Sequence, residues 1–382
     1  MDSFKNIPYG KQTIDTDDIN ALNEVLNENT YLTTGPRVNK FEEEVCKYIG
    51  CKYGVAVNSG TAALHCATFA ANIKENDEVI VPAISFVATA NAVLYQKGKP
   101  VFCDVIKDTL NLNPECLEPL ITSKTKAVIM VDMCGQPCEY DEIRKICNKH
   151  KLILIQDAAH SLGGNYKNNK VGSYADITCL SFHPVKNITT CEGGMMVTNM
   201  EKFYNLGKSC RSHGILRDYK QREKSNSHYY EMTSLGFNYR LPDVLCALGI
   251  NQLKKLDSFI QRRNEIALKY NNFFDSIKEY AIPLKNNHYN AYHIYVIKFN
   301  CKKIGKTRDE LFQLLKNEGI GVNVHYMPIY LHPYYKDLGY EKGLCPVAEM
   351  CYQDIITIPI YPLLTDEEVN YVCEKINKVL FL

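Results

Sequence analysis

Apolar residues along this chain recur in two rhythms. Ile19, Leu22, Val25 and Leu26 fall at helical spacing behind the acidic start 15–18, and Val38, Phe41 and Val45 do so behind Pro36, a residue suited to the first turn of a helix. Short apolar runs then take over at 54–57, 78–81, 100–103, 127–131, 152–155 and 177–182, separated by helix-like stretches. Strands alternating with helices predict an α/β fold, with a mostly parallel sheet covered on both faces. Beyond about residue 245 the pattern changes. Residues 245–278 read as helix, 293–299 as a strand, 308–317 as an amphipathic helix and 320–325 as another strand, which suits a smaller α+β domain packed on the large one. We therefore divide the chain into 1–245 and 246–382, the length of 382 residues being long for one core.

Composition narrows the function classes. Hydrophobic residues make up 46% and charged residues 23%, ordinary for a globular protein. A formal net charge of +1 gives no global field to draw nucleic acid or an anionic membrane, and the longest apolar runs are too short to span a bilayer. The 16 cysteines follow no framework spacing and no secretory signal opens the chain, so reduced thiols and a cytoplasmic location are expected. Cys134 and Cys138 form a C-x3-C pair without a matching Cys/His pair nearby, so no metal site is expected.

Three segments carry candidate chemistry. Asn58-Ser59-Gly60-Thr61-Ala62-Ala63 follows a strand and opens a helix. Its hydroxyls and free N–H groups suit a phosphate, and a plain Ser or Thr N-cap explains them equally. Asp157 closes the run Leu152-Ile153-Leu154-Ile155-Gln156, at the strand end where ligands of parallel sheets lie. A carboxylate there is costly unless paired, and either a bound cation or a structural salt bridge answers that need. Ser181-Phe182-His183-Pro184-Val185-Lys186 follows the next strand and precedes Gly193-Gly194. A lysine amine reacts with aldehydes once its surroundings favour the neutral form, whereas an isolated lysine is ordinarily a solvated charge.

Taken in order, these segments resemble fold type I pyridoxal-phosphate (PLP) enzymes, and among them the nucleotide-sugar aminotransferases of the DegT/DnrJ/EryC1/StrS family. Further matches span nearly the whole chain: Tyr31-Leu32-Thr33-Thr34-Gly35-Pro36-Arg37-Val38 with Phe41-Glu42, Gly236-Phe237-Asn238-Tyr239-Arg240-Leu241, and Val324-His325-Tyr326-Met327-Pro328. The resemblance implies a large domain with a mostly parallel seven-stranded sheet and a smaller α+β C-terminal domain. It implies that Lys186 holds PLP covalently and then moves the substrate proton, and that Asp157 keeps the pyridine nitrogen protonated. Ser181, Gly60, Thr61 and Ala62 fall to the phosphate, Phe86 to the ring face and His160 to the position beside the 3′-oxygen, where many relatives have Gln. Asn238 is implied to reach the cofactor phosphate of a neighbouring subunit, which calls for a homodimer with shared active sites. The dehydratase branch has His where Lys186 stands, so amino transfer is expected.

The stretch from Phe182 to Thr189 is closer to the branch acting on UDP-linked 4-keto sugars than to the F-Y/F-P-T-K form found elsewhere in the family. The expected reaction moves the amino group of L-glutamate to C4 of a UDP-linked 4-keto-6-deoxy sugar. Tyr9, Lys11, Thr33, His183, Arg240, His325 and Tyr326 are the expected substrate contacts, since Arg binds phosphate bidentately and Tyr and His bond sugar hydroxyls. A dTDP- or GDP-linked keto sugar, a C3 acceptor, another fold type I activity and a PLP-binding protein without turnover remain alternatives. A nicotinamide oxidoreductase needs a G-x-G-x-x-G turn, which the first hundred residues lack.

Overall fold

The computed structural model describes residues 6–215 and 228–381. Helices α1 (Thr16–Glu28) and α2 (Pro36–Ile49) precede strand β1 (Tyr53–Val57). Then α3 (Gly60–Ala70) leads to β2 (Glu78–Pro82), α4 (Ala88–Tyr95) to β3 (Lys99–Cys103), the short α5 (Pro114–Leu117) to β4 (Thr125–Val131), and α6 (Tyr140–His150) to β5 (Ile153–Asp157). A small hairpin of β6 (Asn165–Tyr166) and β7 (Asn169–Lys170) comes before β8 (Ile177–Ser181) and β9 (Gly194–Thr198), and α7 (Glu201–Arg211) follows.

Seven strands form the central sheet in the order β1-β9-β8-β5-β4-β2-β3. The β2–β3, β2–β4, β4–β5 and β5–β8 pairings are parallel, whereas β9 runs antiparallel to both β1 and β8. β9 was not among the expected apolar runs. Its sequence, Gly-Met-Met-Val-Thr, directly continues a Gly-Gly turn signal and carries one β-branched apolar residue, so pattern alone assigns it to the turn. The parallel strands are buried on both faces, as sheet positions under two helical layers must be. One face packs against α3, α4 and α7, the other against α2 and α8 (Asp243–Ser276).

Helix α8 has 34 residues and links two cores. Cys246, Leu253, Leu256 and Ile260 join the sheet's outer layer, while Ile266, Ala267, Tyr270 and Phe274 belong to a separate C-terminal core. That second core is built from β10 (Ala281–Pro283), β11 (Tyr295–Phe299), α9 (Cys301–Ile304), α10 (Arg308–Asn317), β12 (Ile355–Ile358) and α13 (Asp366–Phe381), with β10, β11 and β12 in one antiparallel sheet, while α11 (Pro333–Asp337) and α12 (Pro346–Tyr352) pack back onto the large core. The helix expected over 308–317 is α10, closed at its start by a capping box of Thr307 and Glu310.

The strand expected over 320–325 is absent. Gly321 N–H donates to Ile7 O at 2.6 Å and Asn323 pairs singly with Thr357, so the segment is extended but divides its backbone bonds between the N-terminal chain and β12. A Cβ at Gly321 would lie 2.7 Å from Ile7 O, so this close approach requires glycine. Among the described residues no helix is long and apolar enough to cross a membrane. All 16 cysteines are free, and Cys138 donates through Sγ to Val131 O.

Candidate active site

The strand ends of β1, β5 and β8 meet at one edge of the sheet, where parallel α/β folds bind ligands. Strand β5 delivers Asp157 as its last residue, only 6% exposed. Its Oδ2 accepts from Thr89 Oγ1 at 2.8 Å and its Oδ1 from Ala159 N–H at 3.2 Å. Thr89 is in turn bonded to Ser85, 2.8 Å between hydroxyls. Burial pushes the carboxyl pKa up, while the two hydrogen bonds and the charge of Lys186 oppose it. Among the described residues no ion pair reaches Asp157, so a buried carboxylate faces the cleft held by neutral donors.

Lys186 sits on the loop from β8 to β9. Phe182 N–H donates to Gly193 O, Thr190 N–H to Phe182 O and Lys186 N–H to His183 O, bonds of 2.8–3.0 Å that fold the loop back on itself. The side chain keeps part of its surface open to the cleft, yet the surrounding atoms lower its pKa to about 8, against the pull of Asp157. Its Nζ lies 3.2 Å from His293 Nε2. A lysine with this pKa reaches its neutral, nucleophilic form far more readily than a solvated one.

At the start of α3, Ser59 caps the helix by accepting from Ala62 N–H at 3.0 Å, leaving Gly60 and Thr61 at the first turn. An N-cap does not exclude an anion at the same helix start, since it satisfies only part of the first-turn N–H groups. A Cβ at Gly60 would stand 2.8 Å from Ser181 Cβ and 3.0 Å from its Oγ, so the Ser181 hydroxyl closes one side of a concave seat at the positive end of the helix. Strand β9 presses on the same turn from below: a Cβ at Gly194 would meet Ser59 O at 2.3 Å.

A cluster of tilted rings gathers near Lys186. The His160 and His293 ring centroids are 4.4 Å apart, and Tyr326 Oη approaches His160 Nε2 at 3.5 Å. Phe86, 55% exposed, tilts against Tyr326 at 6.0 Å, and Tyr9 against His325 at 5.5 Å. His325 Nδ1 is 2.7 Å from Thr357 Oγ1. Burial and the charge of Lys186 lower the pKa of all three histidines, His325 to about 3, so each is neutral at physiological pH. Among the described residues the Nδ1 atoms of His160 and His293 are buried without a hydrogen-bond partner, so each can bond a polar group brought to it.

The remaining expected residues fall at different places. Lys11 lines a small cavity together with Lys186, Pro184 and Arg263. His183 is exposed, 4.0 Å from Glu192. Thr33 lies exposed in the turn between α1 and α2, and Asn238 and Arg240 lie on a loop that runs beside the end of β1, where Asn58 N–H donates to Tyr239 O at 2.8 Å. Among the described residues, none of these three is bonded to Lys186, Asp157 or His293. Sequence reasoning missed Thr89 and His293. Thr89 stands 68 positions from Asp157 within an alanine-rich helix, and His293 heads a strand-like run, so neither carries a local signal of the contact it makes.

An open, mostly parallel sheet with a buried carboxylate, a lysine of lowered pKa and a glycine-lined helix start at its strand ends defines an α/β enzyme of the aminotransferase kind. Residues 12–377 match the DegT/DnrJ/EryC1/StrS aminotransferase family, and the chain belongs to it. It is similar to the UDP-4-amino-4,6-dideoxy-N-acetyl-beta-L-altrosamine transaminase of Campylobacter jejuni, 40% identical over 382 residues, 98% of this chain and 97% of that protein. Among solved structures it is similar to PseC of Helicobacter pylori, an aminotransferase involved in the biosynthesis of pseudaminic acid (TM-score 0.92, 35% identity, 99% of this chain and all of that one). It is also similar to a sugar aminotransferase, Spr1654, of Streptococcus pneumoniae in its PMP form (TM-score 0.92, 30% identity, 98% and 99% covered).

Proposed function

We propose that this aminotransferase binds PLP and transfers the amino group of L-glutamate to C4 of a UDP-linked 4-keto-6-deoxy sugar. The observation that carries the reading is the juxtaposition of Lys186, its pKa lowered to about 8, with the buried Asp157 carboxylate and the Gly60–Ser181 seat. The residues present fit PLP: Ser181 with the first turn of α3 at Gly60 and Thr61 would hold its phosphate, Asp157 its pyridinium and Lys186 its aldehyde. Bound there, PLP supplies an electron sink for the carbon that loses its proton.

This chain's residues do the rest. Asp157, desolvated and in no ion pair among the described residues, would favour a protonated ring nitrogen. Lys186 Nζ, neutral at modest cost, takes a proton from the substrate carbon and returns it. Neutral His160 has an unpartnered Nδ1 to offer an oxygen in the cleft. Tyr9, His325 and Tyr326 present rings and polar tips for a sugar, Phe86 would cover the cofactor ring, and Lys11 lies beside the Lys186 loop for an anion. The UDP and C4 assignments follow the Phe182–Thr189 stretch and agree with the product named for the C. jejuni relative.

The test is a panel. Enzyme, PLP and glutamate are incubated with UDP-, dTDP- and GDP-linked 4-keto-6-deoxyhexoses, and kcat/KM and the aminated carbon are determined. The UDP sugar is expected to win by at least about tenfold, roughly 1.4 kcal/mol of discrimination. A tenfold preference for dTDP or GDP overturns the nucleotide, amination at C3 overturns the position, and no turnover with any sugar leaves a PLP-binding protein.

A further inference from the structure

Nothing in the reading above requires His293, yet it is the described side chain that bonds Lys186 Nζ. It reaches that place from the segment before β11, and its backbone is fixed unusually firmly. Arg263, 1% exposed, donates through Nη1 to the carbonyls of Tyr292 at 2.9 Å, His293 at 3.2 Å and Ile360 at 2.9 Å. A buried guanidinium held by carbonyls ties α8, the His293 segment and the chain after β12 to one point. The ring also leans on His160, the two tilted with centroids 4.4 Å apart.

We propose that His293 is a positioning residue for Lys186: its Nε2 accepts a hydrogen bond from the lysine ammonium and holds Nζ in the cleft where it must release and recover a proton. The proposal rests on the reading of Lys186 as the reacting amine. The groups facing His293 are Lys186, His160, Arg263 and His325; burial and the positive charges of Lys186 and Arg263 disfavour an imidazolium, and a protonated His160 or His325 would disfavour it further. A neutral imidazole that accepts at Nε2 carries its proton on Nδ1, the atom the structure leaves buried without a partner. Asp157 acts on Lys186 as well, so the ammonium is supported by a carboxylate through space and by one neutral acceptor in contact. Removing the acceptor weakens the charged form of Lys186 and frees its side chain to rotate.

The experiment compares His293→Phe, which keeps a ring, with His293→Gln, whose amide lies at about the reach of Nε2. Two quantities are read on the full-length protein. The first needs no substrate: the pH midpoint of Lys186 modification by an amine-labelling reagent in cofactor-free enzyme, followed by mass spectrometry. The second is kcat and KM for the keto sugar with PLP bound. His293→Phe is expected to lower the midpoint by roughly half a unit to one unit and kcat by roughly tenfold or more, with KM within about twofold, and His293→Gln to restore most of both. An unmoved midpoint overturns the proposal, whether or not kcat falls, and so does a His293→Gln variant no better than His293→Phe. Because the labelling midpoint is independent of turnover, it stands even if the panel shows no sugar amination.

Discussion

At the scale of single residues, the site is a set of charges held in places where water would ordinarily hold them. Lys186 has a pKa near 8 against an ordinary 10.5. Below pH 8 both the folded and unfolded chains carry its proton, and the folded chain bears the full penalty of burying it. Between pH 8 and 10.5 only the unfolded chain keeps the proton, so stability rises with pH across that window, and above it the penalty is gone. Cofactor-free Lys186→Met is therefore expected to be more stable than the parent at pH 7, by up to about 3 kcal/mol, with the gap closing above pH 10.5. Urea unfolding at several pH values measures it, and a gap that widens toward alkaline pH contradicts the titration of Lys186. Asp157 is shifted in the same sense of desolvation: burial raises its pKa, and the Thr89 hydroxyl, the Ala159 N–H and the charge of Lys186 only partly oppose it.

At the scale of elements, what could be read in advance depended on how far apart the interacting residues stand. Runs such as 127–131 and 152–155 announce buried parallel strands, because both faces must be apolar and no other element of that length is. The pairing of Ser59-Gly60-Thr61 with a helix start was equally plain, since capping is local. β9 was hidden by its glycine and methionines, and the 320–325 segment was misread because its β-branched pattern says nothing of whether a neighbour offers a full ladder. The contact of His293 with Lys186 joins residues 107 apart and depends on the Arg263 clamp, which no spacing rule contains. The division at 245/246 is a proposal that the continuous helix α8 crosses near its start. The α3 start offers the sharpest test at this scale. In Gly60→Ala the new Cβ must displace Ser181 or the turn itself, because β9 blocks retreat at Gly194. The variant is expected to lose about 1–3 kcal/mol of stability and to bind PLP at least about tenfold more weakly, read from titration of the visible absorption band. Affinity equal to the parent's removes the phosphate from this seat.

For the whole molecule, the open question is how a single chain completes the cleft. Asn238 is exposed on a loop whose backbone is tied to its own subunit: Ser212 pairs with Asn238, Arg240 with Val57, and Asn58 bonds Tyr239. Beneath it, Tyr239 Oη meets His65 Nδ1 at 3.1 Å and stacks on Phe237, so the loop is braced from within while its polar tip points to no described partner in the pocket. Close by in sequence, Met232 and Leu235 leave 64% and 74% of their surfaces exposed, apolar area that a partner could cover. We infer that a second copy of the chain covers this region and receives Asn238 at its own Gly60–Ser181 seat, an exchange that two-fold symmetry makes reciprocal. Complementation tests it. Lys186→Ala and Asn238→Ala subunits are each expected to be nearly inactive alone. Co-expressed, random pairing makes about half of the dimers mixed, and each mixed dimer has one cleft with both groups intact, so the preparation should recover roughly a quarter of parental activity. An active monomer in light scattering, or a mixture no more active than the average of its two parents, places Asn238 and Lys186 in the service of the same subunit and removes the exchange.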